Sequence, residues 1–296
     1  MASGVRVRSP ANAGYFYPAN PGELAETLRA SFLHRLGPGR LPEKAPREYT
    51  GRAIGGAGRA IGVVAPHAGY VYSGHVAAHS YLELSDAGRP DVVFILGPNH
   101  HALGVPIAVD ENDAWETPLG QVMVDKELAK ELSSLERIVL FDYQAHFYEH
   151  SIEVQIPFLQ FTFPEAPRIV PVSMMLQTPE AAVRVGKAIA SLIKNKGLKA
   201  YVIASSDMSH YVEARIAREK DFKAIEKIKA LDVEGLYDTV IEEDISMCGP
   251  GPVMVLMQVA RELGYTNVRL LKYADSGDVT GDKSSVVAYA SLSFEK

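Results

Sequence analysis

Asp91-Val92-Val93-Phe94-Ile95-Leu96-Gly97-Pro98-Asn99-His100-His101 is the stretch that decides the fold. Val92 to Leu96 is an unbroken apolar run, so a strand made of it has no polar face. Such a strand belongs in a sheet covered on both sides. Gly97-Pro98-Asn99 then breaks the run as a turn and delivers two histidines. The same order occurs twice more. Ile61-Gly62-Val63-Val64-Ala65 leads into Pro66-His67-Ala68-Gly69-Tyr70, and Tyr201-Val202-Ile203-Ala204 leads into Ser205-Ser206-Asp207-Met208-Ser209-His210-Tyr211.

Around these runs, strand patterns alternate with helical ones. Asn20-Pro21 reads as an N-cap with proline at the first helical position, opening a helix from about 21 to 36. Helices are also expected near 74–84, 125–135, 151–161, 178–194, 212–243 and 251–263. Further strands are expected near 106–109, 137–140, 169–172, 268–273 and 286–293. Pro171 marks its strand as an edge or a bulge. The alternation predicts an α/β layer fold. Residues 37–58, with six Gly and three Pro, read as a flexible loop. No linker splits the chain after residue 60, so residues 1–296 read as one domain.

Composition narrows the function classes. Hydrophobic residues make up 47% and charged residues 22%, which excludes bulk disorder. The single cysteine, Cys248, excludes an internal disulfide and a cysteine-based zinc finger. The net charge is −6 and basic residues form no run, which argues against nucleic-acid and membrane-surface partners. No apolar run approaches the roughly 18 residues of a membrane span. The first residues lack a signal-peptide core, so a cytoplasmic location is expected.

Nine histidines are present, eight of them between His67 and His210. Ligands of open α/β sheets bind beyond the carboxyl ends of the strands. If the three strands are parallel, their histidine loops meet at one edge. His67 is then either a polar turn residue or a metal-ligating imidazole. His100 and His101 are adjacent, so in an extended loop only one enters the site. Asp207 and His210 are three apart. Asp207 is a helix cap, a group that orients a histidine, or a metal ligand, and His210 is a candidate proton carrier. Glu149, His150 and Glu153 put three titratable groups within one turn, where they either cap a helix or support the site. Cys248 precedes Gly249-Pro250-Gly251-Pro252 and an apolar helix. It is either a buried apolar residue or a thiol whose pKa the helix N-terminus lowers. Residues 275–285 read as a polar loop bordering the site. Neither a phosphate loop nor a serine-hydrolase motif is present.

Ala65-Pro-His-Ala-Gly-Tyr70, Ile95-Leu-Gly-Pro-Asn-His-His101, Glu149-His-Ser-Ile-Glu153, Ser205-Ser-Asp-Met-Ser-His210 and Cys248-Gly249 together resemble the Memo protein family, and Ala13-Gly-Tyr-Phe-Tyr17 fits as well. The resemblance implies a three-layer α/β/α sandwich with a mostly parallel or mixed central sheet, like that of the class III extradiol dioxygenases, which are non-haem iron enzymes. It implies a metal site with His67 and His100 as ligands and Cys248 where the dioxygenases use a glutamate. It also implies that His210 is the acid/base histidine, with Asp207 beside it. Tyr70, Tyr72, His101, His150 and Tyr211 are the expected pocket residues. The metal is expected to be Fe, Cu or Zn. A thiolate in place of a carboxylate favours Cu(I) or zinc over ring-cleaving iron. Family members suggest a small molecule or a peptide as ligand, and AMMECR-type and radical-SAM proteins as partners. Three functions follow: a metal-dependent redox or dioxygenase-like enzyme, a binding protein that kept the pocket, or a hydrolase using Cys248 or a metal-bound water.

Overall fold

The computed structural model describes residues 4–43 and 59–296. Residues 44–58 of the expected flexible loop lie outside the described residues. The strands are β1 (Val7–Arg8), β2 (Ala60–Ala65), β3 (Val92–Pro98), β4 (Ile107–Val109), β5 (Ala114–Thr117), β6 (Gly120–Met123), β7 (Leu140–Phe141), β8 (Arg168–Met174), β9 (Ala200–Ser205), β10 (His210–Val212), β11 (Asn267–Asp275) and β12 (Val286–Glu295). The helices are α1 (Pro21–Leu33), α2 (Tyr70–Ala87), α3 (Lys126–Leu135), α4 (Gln144–Phe147), α5 (His150–Glu153), α6 (Gln155–Thr162), α7 (Pro179–Lys196), α8 (Ala214–Lys229), α9 (Val233–Glu242), α10 (Pro250–Leu263) and α11 (Gly277–Thr280).

The main sheet runs β10-β12-β2-β9-β3-β8-β4-β7, with β11 on β12. Its centre, β2-β9-β3-β8, is parallel, while β12 and β4 join antiparallel, so the sheet is mixed. The two faces are read along β3. Val92, Phe94 and Leu96 enter one core with α7 and α10, for example Ile189, Ile193, Val255 and Val259. Val93 and Ile95 enter the other core with α1, α2 and α6, for example Leu28, Phe32, Tyr81 and Phe158. Alternate side chains point to opposite faces, so a continuous apolar run requires two apolar layers. The result is the three-layer arrangement expected.

Local chemistry sets the element ends. Asn20 Oδ1 accepts from the Gly22 and Glu23 amides and caps α1. α1 stops at Leu33 rather than near 36, because His34 turns extended and its Nδ1 accepts the Leu36 amide at 3.2 Å. The expected 151–161 helix is two helices, α5 and α6, meeting at Val154. The 212–243 stretch breaks at Leu231, whose φ is +54°, and Asp232 caps α9 through the Gly235 amide. Pro171 is not on an edge. β8 lies between β3 and β4, and the proline is tolerated because β4 reaches only Val109, opposite Val172. The small sheet β1-β5-β6 was not anticipated, since its short, partly exposed strands carry no long apolar run.

Arg8 on β1 is almost wholly buried and pairs with buried Glu153 at 2.7 Å. Arg8→Met is expected to destabilise the fold by about 3–5 kcal/mol, because Glu153 then stays buried without its cation. Urea unfolding measures this, and a loss below about 1 kcal/mol would show the pair to be dispensable.

His75 on α2 is buried and its Nε2 has no hydrogen-bond partner among the described residues. Burial, then His34 and Lys272, push its pKa from the ordinary 6.5 to about 4. The unfolded chain therefore takes a proton that the folded chain refuses between those values. Stability is full above about pH 6.5 and is lost as pH falls toward about 4, by at most roughly 3 kcal/mol for this group. The His75→Gln variant is expected to lose less stability than wild type between pH 6.5 and 4. Parallel stability–pH curves for the two proteins would contradict this origin.

Candidate metal centre

β2, β9 and β3 are adjacent and parallel, so the loops bearing His67, Asp207 and His100 leave the same sheet edge. His150, the first residue of α5, joins them. α5 packs closely because Gly97 has no side chain where Ser151 and Ile152 lie. Ser151 Oγ then donates to the Pro98 carbonyl at 3.0 Å. The ring centroids of His67 and His100 are 5.2 Å apart, those of His67 and His150 5.3 Å, and those of His100 and His150 4.5 Å. One ring nitrogen from each of the three lies within 4.8 Å of the other two.

Hydrogen bonds fix which nitrogens are free. Ser205 Oγ has one proton, which it donates to the Ser151 carbonyl at 2.7 Å. It therefore accepts from Gln155 Nε2 at 2.8 Å and from His67 Nδ1–H at 2.9 Å. His67 Nε2 is left with its lone pair, 3.1 Å from Cys248 Sγ. Glu149 Oε1 accepts from His100 Nδ1–H at 2.9 Å, which leaves His100 Nε2 free. The other Glu149 oxygen accepts the His100 amide at 2.6 Å, and Oε1 also accepts the Ser151 amide at 2.8 Å. Burial raises the Glu149 pKa, but the hydrogen bond from His100, the neighbouring imidazoles and the Ser151 amide outweigh it and hold the carboxyl well below the usual range. Burial, then the neighbouring imidazoles, lower His67 and take His150 to about 3. Both are therefore neutral at pH 7, the form that ligates metal.

The remaining expected residues divide. Asp207 Oδ1 accepts the His67 amide at 2.7 Å and lies beside the histidines, and burial raises its carboxyl. Cys248 Sγ accepts the Asp207 amide at 3.2 Å. This approach is possible because Gly249 has no Cβ to strike Ser205 O and Ser206. The Cys248 thiol is not activated as the helix N-terminus suggested. Burial, and then the Asp207 carboxylate, push it up. His210 is not one of the three converging imidazoles. Its Nδ1–H donates to the Ser246 carbonyl at 2.8 Å, leaving Nε2 free, and its charge acts on His67 and Asp207. His101 is exposed and lies with Glu149 and His150 in an outer group.

The tyrosines also separate. Tyr72 and Tyr211 are exposed. Tyr70 is a correction, since its ring packs on Phe158 in the core and its hydroxyl donates to the Val154 carbonyl at 2.5 Å. In the loop expected to border the site, the Lys283 ammonium is held by Asp275 and Asp278. Sequence reasoning missed Ser246, Gln155 and the ring of Phe16, which stacks on His150 at 4.2 Å. Ser246, two residues before Cys248, and Phe16, in the early aromatic cluster, lay next to signals already visible.

A family model described as Memo-like protein matches residues 8–293. A MEMO1 family protein of Ignicoccus hospitalis is 48% identical over 288 residues, covering 97% of this chain and 98% of its own length. One from Pyrobaculum aerophilum is 48% identical over 290 residues, covering 98% and 99%. The crystal structure of an uncharacterized protein from Escherichia coli K12 aligns with a TM-score of 0.51 at 15% identity, over 79% of this chain and 99% of that one, a likeness of fold alone. With this family match and the near-complete alignment with these relatives, the chain belongs to the Memo family.

Proposed function

We propose that this chain is a metal-dependent protein acting on a small molecule, with a divalent ion held by His67, His100 and His150. The observation that carries this reading is the convergence of three imidazoles, two of them with Nδ1 tied to an oxygen acceptor and Nε2 left with its lone pair, that of His67 meeting the Cys248 thiol at 3.1 Å. The donor chemistry fits, because neutral imidazole suits zinc, copper, iron and nickel. Cys248 Sγ, 3.1 Å from His67 Nε2, adds a soft donor that favours zinc or Cu(I). When bound, such an ion supplies Lewis acidity and, as iron or copper, redox chemistry.

The chain's own residues do the rest. Ser205 and Glu149 fix the rings of His67 and His100, as oxygen partners of metal-binding histidines commonly do. His210, held by Ser246 with Nε2 free, takes or gives a proton beside the ion. Asp207 holds the His67 backbone in place. The activity proposed for this site is dioxygenase-like or another redox reaction, in a protein proposed to be cytoplasmic. A binding protein with the same pocket is the competing reading.

Alanine at His67, His100 or His150 is expected to weaken Zn²⁺ or Co²⁺ binding at least about 100-fold in calorimetric titration, and His210→Ala is expected to leave it unchanged. Binding retained in His150→Ala but lost in Cys248→Ala would make the thiol the third ligand.

Glu149→Gln is expected to cost about 10–100-fold in metal affinity. The same titration checks it, with circular dichroism as the control for folding.

His210→Ala is expected to cut oxygen uptake by iron- or copper-loaded protein, tested on catechols, by about 10²–10⁴-fold. Equal turnover in wild type and variant would remove His210 as the proton carrier. No turnover in either, with ligand binding retained, would favour the binding-protein reading.

A further inference from the structure

His101, Glu149 and His150 form a second group of ligand atoms, all within 4.8 Å of one another, and it shares His150 with the group of His67 and His100. The four rings lie along a gradient of exposure: His101 is exposed, the side chains of His100 and His150 are 30% and 15% exposed, and that of His67 is 2% exposed, while the Glu149 side chain is 1% exposed. The His101 backbone is anchored to Asn99 Oδ1 at 3.2 Å, while its ring has no hydrogen bond among the described residues and only Tyr148 as an aromatic neighbour, at 6.1 Å. Ala102, with φ +52°, and Gly104, with φ +78°, turn the chain sharply just after it. Glu149 supplies the negative charge. His150 Nδ1 stands 3.5 Å from Glu149 Oε1, too long for a good hydrogen bond, so its ring is not locked to the carboxylate as that of His100 is. A carboxylate has about four lone-pair sites, and Glu149 uses three of them on described donors.

We propose that His101, Glu149 and His150 form an entry site through which a divalent cation reaches the inner histidines. The exposed His101 ring takes the hydrated cation beside the Glu149 carboxylate. His150, common to both groups, stays in reach as the cation exchanges His101 and Glu149 for His67 and His100. One cation moves between two positions, and no proton or electron transfer is needed. The inference rests on the metal reading above.

Detailed balance makes it testable. A way-station that is empty at equilibrium changes the rates of loading and release by the same factor and leaves the dissociation constant unchanged. Stopped-flow uptake of Zn²⁺ by the full chain, followed with a chromophoric chelator, is expected to slow at least about tenfold in His101→Ala, with release slowed equally. His101→Asp, which restores a ligand at the rim, is expected to recover fast uptake. Unchanged rates in His101→Ala, or a slowing that His101→Asp does not rescue, would overturn the entry site and leave the inner centre standing. A stoichiometry of two Zn²⁺ per wild-type chain would also overturn it, since the outer group would then be a resident site. No Zn²⁺ binding by the wild type would instead remove the metal reading itself.

Discussion

The buried pair of Arg8 and Glu153 is the constraint on which the site depends. Glu153 accepts Arg8 Nη1, the Ala11 and Asn12 amides, Asn12 Nδ2 and the Tyr17 hydroxyl. Arg8 gives its other protons to the carbonyls of Ser9, His146, Phe147 and Glu149, and its guanidinium lies 4.0 Å from the Trp115 ring centroid. A buried ion pair offsets its desolvation only when its hydrogen bonds are satisfied, as they are here. The effect is positional. One cation clamps the carbonyls of the segment that presents Glu149 and His150, and one carboxylate gathers the N-terminal turn against it.

The sheet supplies the other half of the geometry. Three neighbouring parallel strands end together, so their polar turns share one rim. Two absent side chains, at Gly97 and Gly249, let α5 and the Cys248 turn close on the strand ends. Within that rim, oxygen acceptors hold two of the imidazoles so that their free nitrogens face inward.

Much of this was legible because its causes are local. Val92–Leu96 announced a doubly covered strand, Asn20-Pro21 announced a helix start, and the three histidine turns announced a shared edge once the strands proved parallel. The failures share a cause too. Pro171 reads as an edge residue by itself, and only the early end of β4 makes it acceptable inside the sheet. Tyr70 sits in a site-like motif, but the first turn of α2 points it into the core. The Cys248 turn suggests an activated thiol, yet burial and Asp207 arrive from elsewhere in the chain and reverse the effect.

Local chain chemistry sets the alternation of strands and helices, the two apolar faces of the central strands, and the set of residues able to carry metal chemistry. Each follows from side-chain periodicity or turn chemistry within about ten residues of chain. Packing of distant segments is what makes His150, rather than His210, complete the triangle with His67 and His100, and what lets Glu149 and Ser205 orient the rings. Those choices depend on contacts such as Ser205 with His67, 138 residues apart, and Arg8 with Glu153, 145 apart. No local pattern encodes such a distance, because it is set by how the layers pack.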